Sequence, residues 1–213
     1  MIIDSDSEDW SPVGMTTVRR VEWPADAPTR CRILVVQPVT GPLSLSARAR
    51  DLGEARVHFD ASEEGPLPDR HARRMPIHGE DGIVTVFCDA ILWEHADTLM
   101  AGRLLARFGP QQLILADFND GNAVSTMITS HGAGQLRAPV SARVARGLPA
   151  ALLSLSEMRG VPAYYLTHGD AAATGEITDL LGQLSKHINL PLLQTLFGQP
   201  SRQHHIARDN LYI

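Results

Sequence analysis

Gly82-Ile83-Val84-Thr85-Val86-Phe87-Cys88 is an unbroken apolar run rich in β-branched residues, and together with the 30 or so residues after it decides the fold. A strand buried on both faces has this composition, because neither side of it meets water. Beyond it, Leu92, His95, Ala96, Leu99, Met100, Leu104 and Leu105 recur at helical spacing, and Gly109-Pro110 ends that helix. Leu113-Ile114-Leu115-Ala116 is a further buried strand, closed by a turn-rich loop from Asp117 to Gly121. Strands alternating with helices in this way specify an α/β sheet.

Upstream, Ile33-Leu34-Val35-Val36 is a short buried strand closed by Pro38 and Gly41-Pro42, and Val18 to Trp23 reads as an edge strand ended by Pro24. Residues 54–60 can form another strand, whereas Glu63 to Met75 is polar, Pro-containing and Arg-rich, and reads as a surface loop. Residues 122–130 are a candidate strand. Leu148 to Arg159 reads as a helix stopped by Gly160, leading directly into the strand Val161 to Leu166. Thr174 is a suitable N-cap for a helix through about His187, with Ile177, Leu180, Leu181, Leu184 and Ile188 on one face, and a shorter helix runs from Leu192 to Phe197. The expected fold is α/β, a mixed, largely parallel sheet covered by helices on both faces. The expected organisation is an acidic disordered tip over 1–15, a single domain over 16–198, and a flexible tail over 199–213.

Composition removes several functions. The chain has 213 residues, 44% of them hydrophobic and 20% charged, enough to bury a core without a disulfide or structural metal. Its net charge of −5 argues against a dedicated nucleic-acid binder. No apolar run approaches the roughly 20 residues of a membrane span, and the acidic start lacks a signal-peptide pattern. Cys31 and Cys88 stand alone in apolar runs, as buried thiols do in a reducing compartment, so the expectation is a cytosolic or nuclear protein. Lys186 is the only lysine, and no glycine loop precedes it. A P-loop ATPase is thereby excluded, and the same scarcity argues against a protein kinase or a pyridoxal-phosphate enzyme.

Candidate chemistry is sparse. Ser130-His131-Gly132-Ala133-Gly134 is either a turn or a loop whose amides could cradle a phosphate. Asp117, Asn119 and Asp120 lie where α/β proteins often bind ligands, though such a cluster is also ordinary turn chemistry. A small-metabolite hydrolase or phosphorylase using Asp117, Asp120 or His131 is the enzymatic alternative, and it requires those residues around one pocket. Trp93, Glu94 and His95 read as the packed start of a helix, with acid/base work as their other use. His204-His205 has no accompanying carboxylate or cysteine, so a solvated pair is favoured over a metal site. No cofactor or metal is expected.

The C-terminus stands above this background. The segment from Gln199 to Asn210 is polar and aperiodic, and the chain then ends Leu211-Tyr212-Ile213. With 3 tyrosines in 213 residues and 44% hydrophobic residues, an apolar-Tyr-x ending arises by chance at under about 1%. Its physics suits capture in a socket: a free carboxylate can meet a basic group or an amide nest, and Tyr212 offers a stiff, half-apolar ring. A long leader lets the tail reach its pocket while the domain docks elsewhere.

These residues resemble a known family. Leu211-Tyr212-Ile213 is similar to the hydrophobic-tyrosine-any motif by which activators and assembly factors dock between α-subunits of the proteasome core particle. Leu148-Pro149-Ala150-Ala151-Leu152-Leu153-Ser154 and Gly160-Val161-Pro162-Ala163-Tyr164-Tyr165-Leu166, together with Asn210-Leu211-Tyr212-Ile213, resemble the C-terminal half of the proteasome assembly chaperone 1 family. The resemblance covers roughly residues 145–213. It implies a non-catalytic domain of nucleoside-phosphorylase-like architecture that pairs with proteasome assembly chaperone 2 as a heterodimer. The pair would bind the α-ring, support its assembly, and prevent its off-pathway association. Only Leu211, Tyr212 and Ile213 carry over as functional residues: Tyr212 would fill the α-subunit pocket and the Ile213 carboxylate would meet a lysine there.

Overall fold

A computed structural model describes residues 18–41, 45, 48–59, 72–96, 98–118, 125–131 and 145–168. In chain order the elements are β1 (Val18–Glu22), β2 (Ile33–Pro38), β3 (Arg50–Phe59), β4 (Arg73–Glu80), β5 (Ile83–Cys88), α1 (Ala90–His95), α2 (Thr98–Phe108), β6 (Gln112–Phe118), β7 (Ser125–Ile128), α3 (Gly147–Met158) and β8 (Ala163–His168). The eight strands form one sheet in the order β1-β3-β4-β5-β2-β6-β8-β7. Its centre is parallel, β2 pairing with β5 and β6, and β6 with β8. Both flanks are antiparallel: β1, β3 and β4 beside β5, and β7 outside β8. The helices expected over 174–187 and 192–197, the 1–15 tip and the 199–213 tail lie outside the described residues.

The central strands are buried on both faces, which is why they read as continuous apolar runs. Leu34, Val36, Val84, Val86, Leu113 and Leu115 join a core with Leu92, Met100, Leu104, Phe108, Leu148 and Leu152 from the helices. Alternate residues point the other way, and Ile33, Val35, Ile114 and Tyr164 are equally buried there. Each fully buried Leu, Ile or Val side chain stabilises the fold by about 1.5–3 kcal/mol relative to its exposed state. Trp23 closes the β1 side of this core by packing edge-to-face on Phe108, with centroids 5.4 Å apart.

Three local expectations need correction. Arg73 to Met75 is not loop but the start of β4, a strand hidden in the sequence because Pro76 interrupts it. The proline is tolerated because β4 pairs with β5 only from Ile77 onward, so at Pro76 the strand has β3 alone as a neighbour. The strand expected over 54–60 begins earlier, at Arg50, across an irregularity between Asp51 and Glu54. Finally, the helix from Leu92 to Leu105 is two helices. Ala96 is extended, with ψ of 143°, and the chain turns there before α2 begins at Thr98.

Two helix ends follow ordinary capping rules. Asp89 accepts a 2.8 Å hydrogen bond from the Leu92 amide at the start of α1. At the end of α3 the Val161 amide reaches back to the Ser156 carbonyl around Gly160, whose φ is +69°. α3 also begins against the end of α1. A Cβ on Gly147, at φ +57°, would lie 2.6 Å from the Glu94 carbonyl carbon and closer still to the carbonyl oxygens of Trp93 and Glu94. Only glycine fits that junction.

Candidate functional site

Leu211, Tyr212 and Ile213 lie outside the described residues, as do Asn119, Asp120 and His204-His205. The positions that the structure places are Asp117, Ser130, His131 and Trp93-Glu94, and a charged cleft that sequence reading missed.

Asp117 stands near the carboxyl end of β6, beside Thr167 of β8. Its Oδ2 accepts hydrogen bonds from the indole Nε1 of Trp93 at 2.6 Å and from the Tyr165 hydroxyl at 3.3 Å. Trp93 itself is 6% exposed and belongs to the core. The carboxylate therefore ties α1 to β6 and β8, with two donors converging on one oxygen. Trp93 packs its helix as expected, and Glu94 is exposed on α1; the side chain of His95 lies outside the described set.

His131 is at the other end of the sheet. β7 runs antiparallel to β8, and the Thr129 amide bonds to the Ala163 carbonyl at the amino end of β8. Asp117 is level with Thr167, four residues further along, which is roughly 13 Å of strand. The expected enzymatic grouping of Asp117 with His131 is thus not assembled. Next to His131, Ser130 donates both its hydroxyl and its amide to the Glu157 carboxylate of α3. Those two bonds hold the Glu157 carboxyl below the ordinary range, and His131 adds a smaller effect in the same direction. All three side chains are exposed. The arrangement fastens the end of β7 to α3.

A cleft of about 680 Å³ opens among the described residues at the amino ends of β2 and β5. The approach to β2 supplies Asp26 and Arg30, the start of β3 supplies Arg48 and Arg50, and the β4–β5 turn supplies Glu80 and Asp81. Asp81 and Gly82 both have positive φ, as a two-residue hairpin turn requires. Cys31, Leu52 and Ile83 give the cleft an apolar floor. Burial pushes the Cys31 thiol up to about 12, so it contributes bulk and no nucleophile at neutral pH. The sequence signal for this site was weak. Its charges come from three separate segments, and parallel sheets direct attention to the opposite, carboxyl end. Among the described residues no group of three or more His, Cys, Asp or Glu could hold a metal ion, and no helix is long and apolar enough to cross a membrane.

No protein-family model matches the sequence, and no curated protein matches it. Solved structures do share its fold. Pyrococcus furiosus PbaB, described as an archaeal proteasome activator, superimposes with a TM-score of 0.52 at 13% identity, over 89% of this chain and 97% of PbaB. Pyrococcus furiosus PbaA, described as an archaeal homolog of proteasome-assembly chaperone, gives 0.53 at 12% identity, over 89% and 90% of the two chains. A Mycobacterium tuberculosis proteasome-assembly chaperone homologue gives 0.50 at 12% identity, over 84% and 95%. The chain therefore has the α/β architecture of these proteins, at low sequence identity.

Proposed function

We propose that this chain is a non-catalytic chaperone of proteasome core-particle assembly, working in the cytosol or nucleus. The observation that carries the reading is the fold shared over nearly the whole chain with PbaA, a homolog of proteasome-assembly chaperone. The ending Asn210-Leu211-Tyr212-Ile213 adds to it independently, because a fold comparison does not depend on a three-residue motif. In this reading Tyr212 enters a pocket between α-subunits, Leu211 covers its lip, and Ile213 presents a carboxylate to a basic group. The domain pairs with a second chaperone, proteasome assembly chaperone 2, and the heterodimer keeps α-rings from associating off-pathway. A non-catalytic role fits the placement of Asp117 in a structural hydrogen-bond cluster, remote from His131.

The test is a pull-down from native extract comparing the full chain with one ending at Asn210. Recovery of α-subunits and a second chaperone by the full chain, with only the chaperone retained by the shorter one, supports the proposal. Failure of both to recover α-subunits refutes it. The likeness to PbaB favours one second reading, a proteasome activator. Adding the chain to mature core particle and following peptide hydrolysis separates the two, since an assembly chaperone leaves that rate unchanged.

A further inference from the structure

The cleft at the amino ends of β2 and β5 is lined by both signs of charge, Asp26, Glu80 and Asp81 against Arg30, Arg48 and Arg50. Glu80 lines it, and both Glu80 carboxylate oxygens are shielded from solvent without a hydrogen-bond partner among the described residues. A carboxylate without a hydrogen-bond partner is the kind of group that a ligand completes. At the mouth, Arg30 and Arg50 are exposed, and neither guanidinium has a hydrogen-bond or ion-pair partner among the described residues. The volume of about 680 Å³ lies within the range of small-molecule and peptide sites.

Ligands of a single charge fit poorly. A simple anion would meet the arginines but bring a second negative charge toward Glu80. A simple cation would meet the carboxylates of Asp26 and Asp81 but would share the cleft with the guanidinium groups of Arg30 and Arg50. A ligand bearing both charges satisfies both ends, and the apolar floor of Leu52 and Ile83 accommodates the carbon chain between them. No described residue holds the Glu80 carboxylate in its present rotamer, so turning it into the cleft breaks no hydrogen bond there.

We propose that this cleft binds a zwitterionic ligand of amino-acid or peptide type, its cationic group meeting Glu80 and its carboxylate meeting Arg30 and Arg50. The chemistry is shared by a free amino acid and by a protein segment that carries a basic and an acidic side chain. The inference is independent of α-ring docking, since it uses none of the tail residues.

Binding is read by calorimetry and NMR titration of the full chain. The probes are L-arginine, the blocked peptide acetyl-Ala-Arg-Ala-Asp-Ala-amide, agmatine (no carboxylate) and succinate (no cation). At least one of L-arginine and the peptide is expected to bind below about 10 mM, with agmatine and succinate each weaker by about tenfold or more. Tighter binding of the amino acid identifies a small-molecule site, and tighter binding of the peptide identifies a partner segment. Glu80→Gln should weaken that binding about tenfold while leaving the free protein at least as thermostable, because it removes a chargeable group that lacks a partner. Arg30→Gln with Arg50→Gln should weaken it similarly, and these exposed side chains keep the test valid if Glu80→Gln misfolds. Absence of binding by both zwitterions, equal binding by agmatine, or indifference to the arginine substitutions overturns the proposal.

Discussion

Replacing Gly147 by alanine probes the junction that fixes α3 against α1. Two effects add there. Gly147 has φ of +57°, a conformation that costs an L-residue about 1–2 kcal/mol. The new methyl group would also sit 2.6 Å from the Glu94 carbonyl carbon, and the obstacle is backbone that cannot rotate aside. Forcing such an overlap typically costs about 1–3 kcal/mol. Alanine returns about 0.4–1 kcal/mol by restricting the unfolded chain, so the net loss is about 2–4 kcal/mol. For a chain of this size that lowers Tm by roughly 5–15 °C. Gly109→Ala is the matched control: φ is +43°, but the nearest atom to the added Cβ is Arg30 Cγ at 3.8 Å. Only the backbone effect applies, and the expected loss is about 1 kcal/mol. Urea unfolding followed by circular dichroism measures both variants. Equal losses would refute the close approach of α3 to the α1 carbonyls, and with it the packing that places Trp93 beside Asp117.

Other consequences are direct. Trp93→Phe removes the donor to Asp117 and part of the buried ring, and should destabilise by at least about 1.5–3 kcal/mol in urea titrations; no loss would mean that the bond is absent in solution. Cys31 and Cys88 should both resist a thiol reagent at pH 8 in the native state and react fully once unfolded, because burial pushes the Cys31 thiol up to about 12 and holds Cys88 higher still. Rapid labelling of Cys31 in the folded protein would contradict its place in the cleft floor. Glu157 titrates below its ordinary value of 4.5, so its contribution to stability is present above that pH and is lost as pH falls through the lower, folded value. Ser130→Ala should raise the Glu157 titration midpoint by NMR, and an unmoved midpoint would count against the two Ser130 bonds.

The elements legible in the sequence are those whose information is local. Ile33–Val36, Gly82–Cys88 and Leu113–Ala116 read correctly because burial on both faces writes itself as continuous apolar residues. α3 was legible from its apolar spacing and from Gly160, and the edge position of β1 from its charges and Pro24. The misses involve neighbours remote in sequence. Pro76 counts against a strand unless one knows that β5 pairs only from Ile77. The break at Ala96 was hidden because apolar spacing continues across it, although Asp97-Thr98 is a pair of residue types that open helices. Asp117 and His131 are close in sequence, yet the reversal at β7 sends them to opposite ends of the sheet. The cleft was invisible for the converse reason, since Arg30, Arg50 and Glu80 meet only once β2, β3 and β4 have folded together.

The proposed anchoring of this domain to the α-ring by its tail is decided by one comparison. The affinity of purified α-subunit rings for the full chain and for Tyr212→Ala is measured by interferometry in the presence of the proposed partner chaperone. Loss of a buried aromatic anchor removes about 2–4 kcal/mol, so Tyr212→Ala should bind more weakly by about 30-fold or more with its fold unchanged. Equal affinity of the two proteins for the ring would contradict the anchoring role.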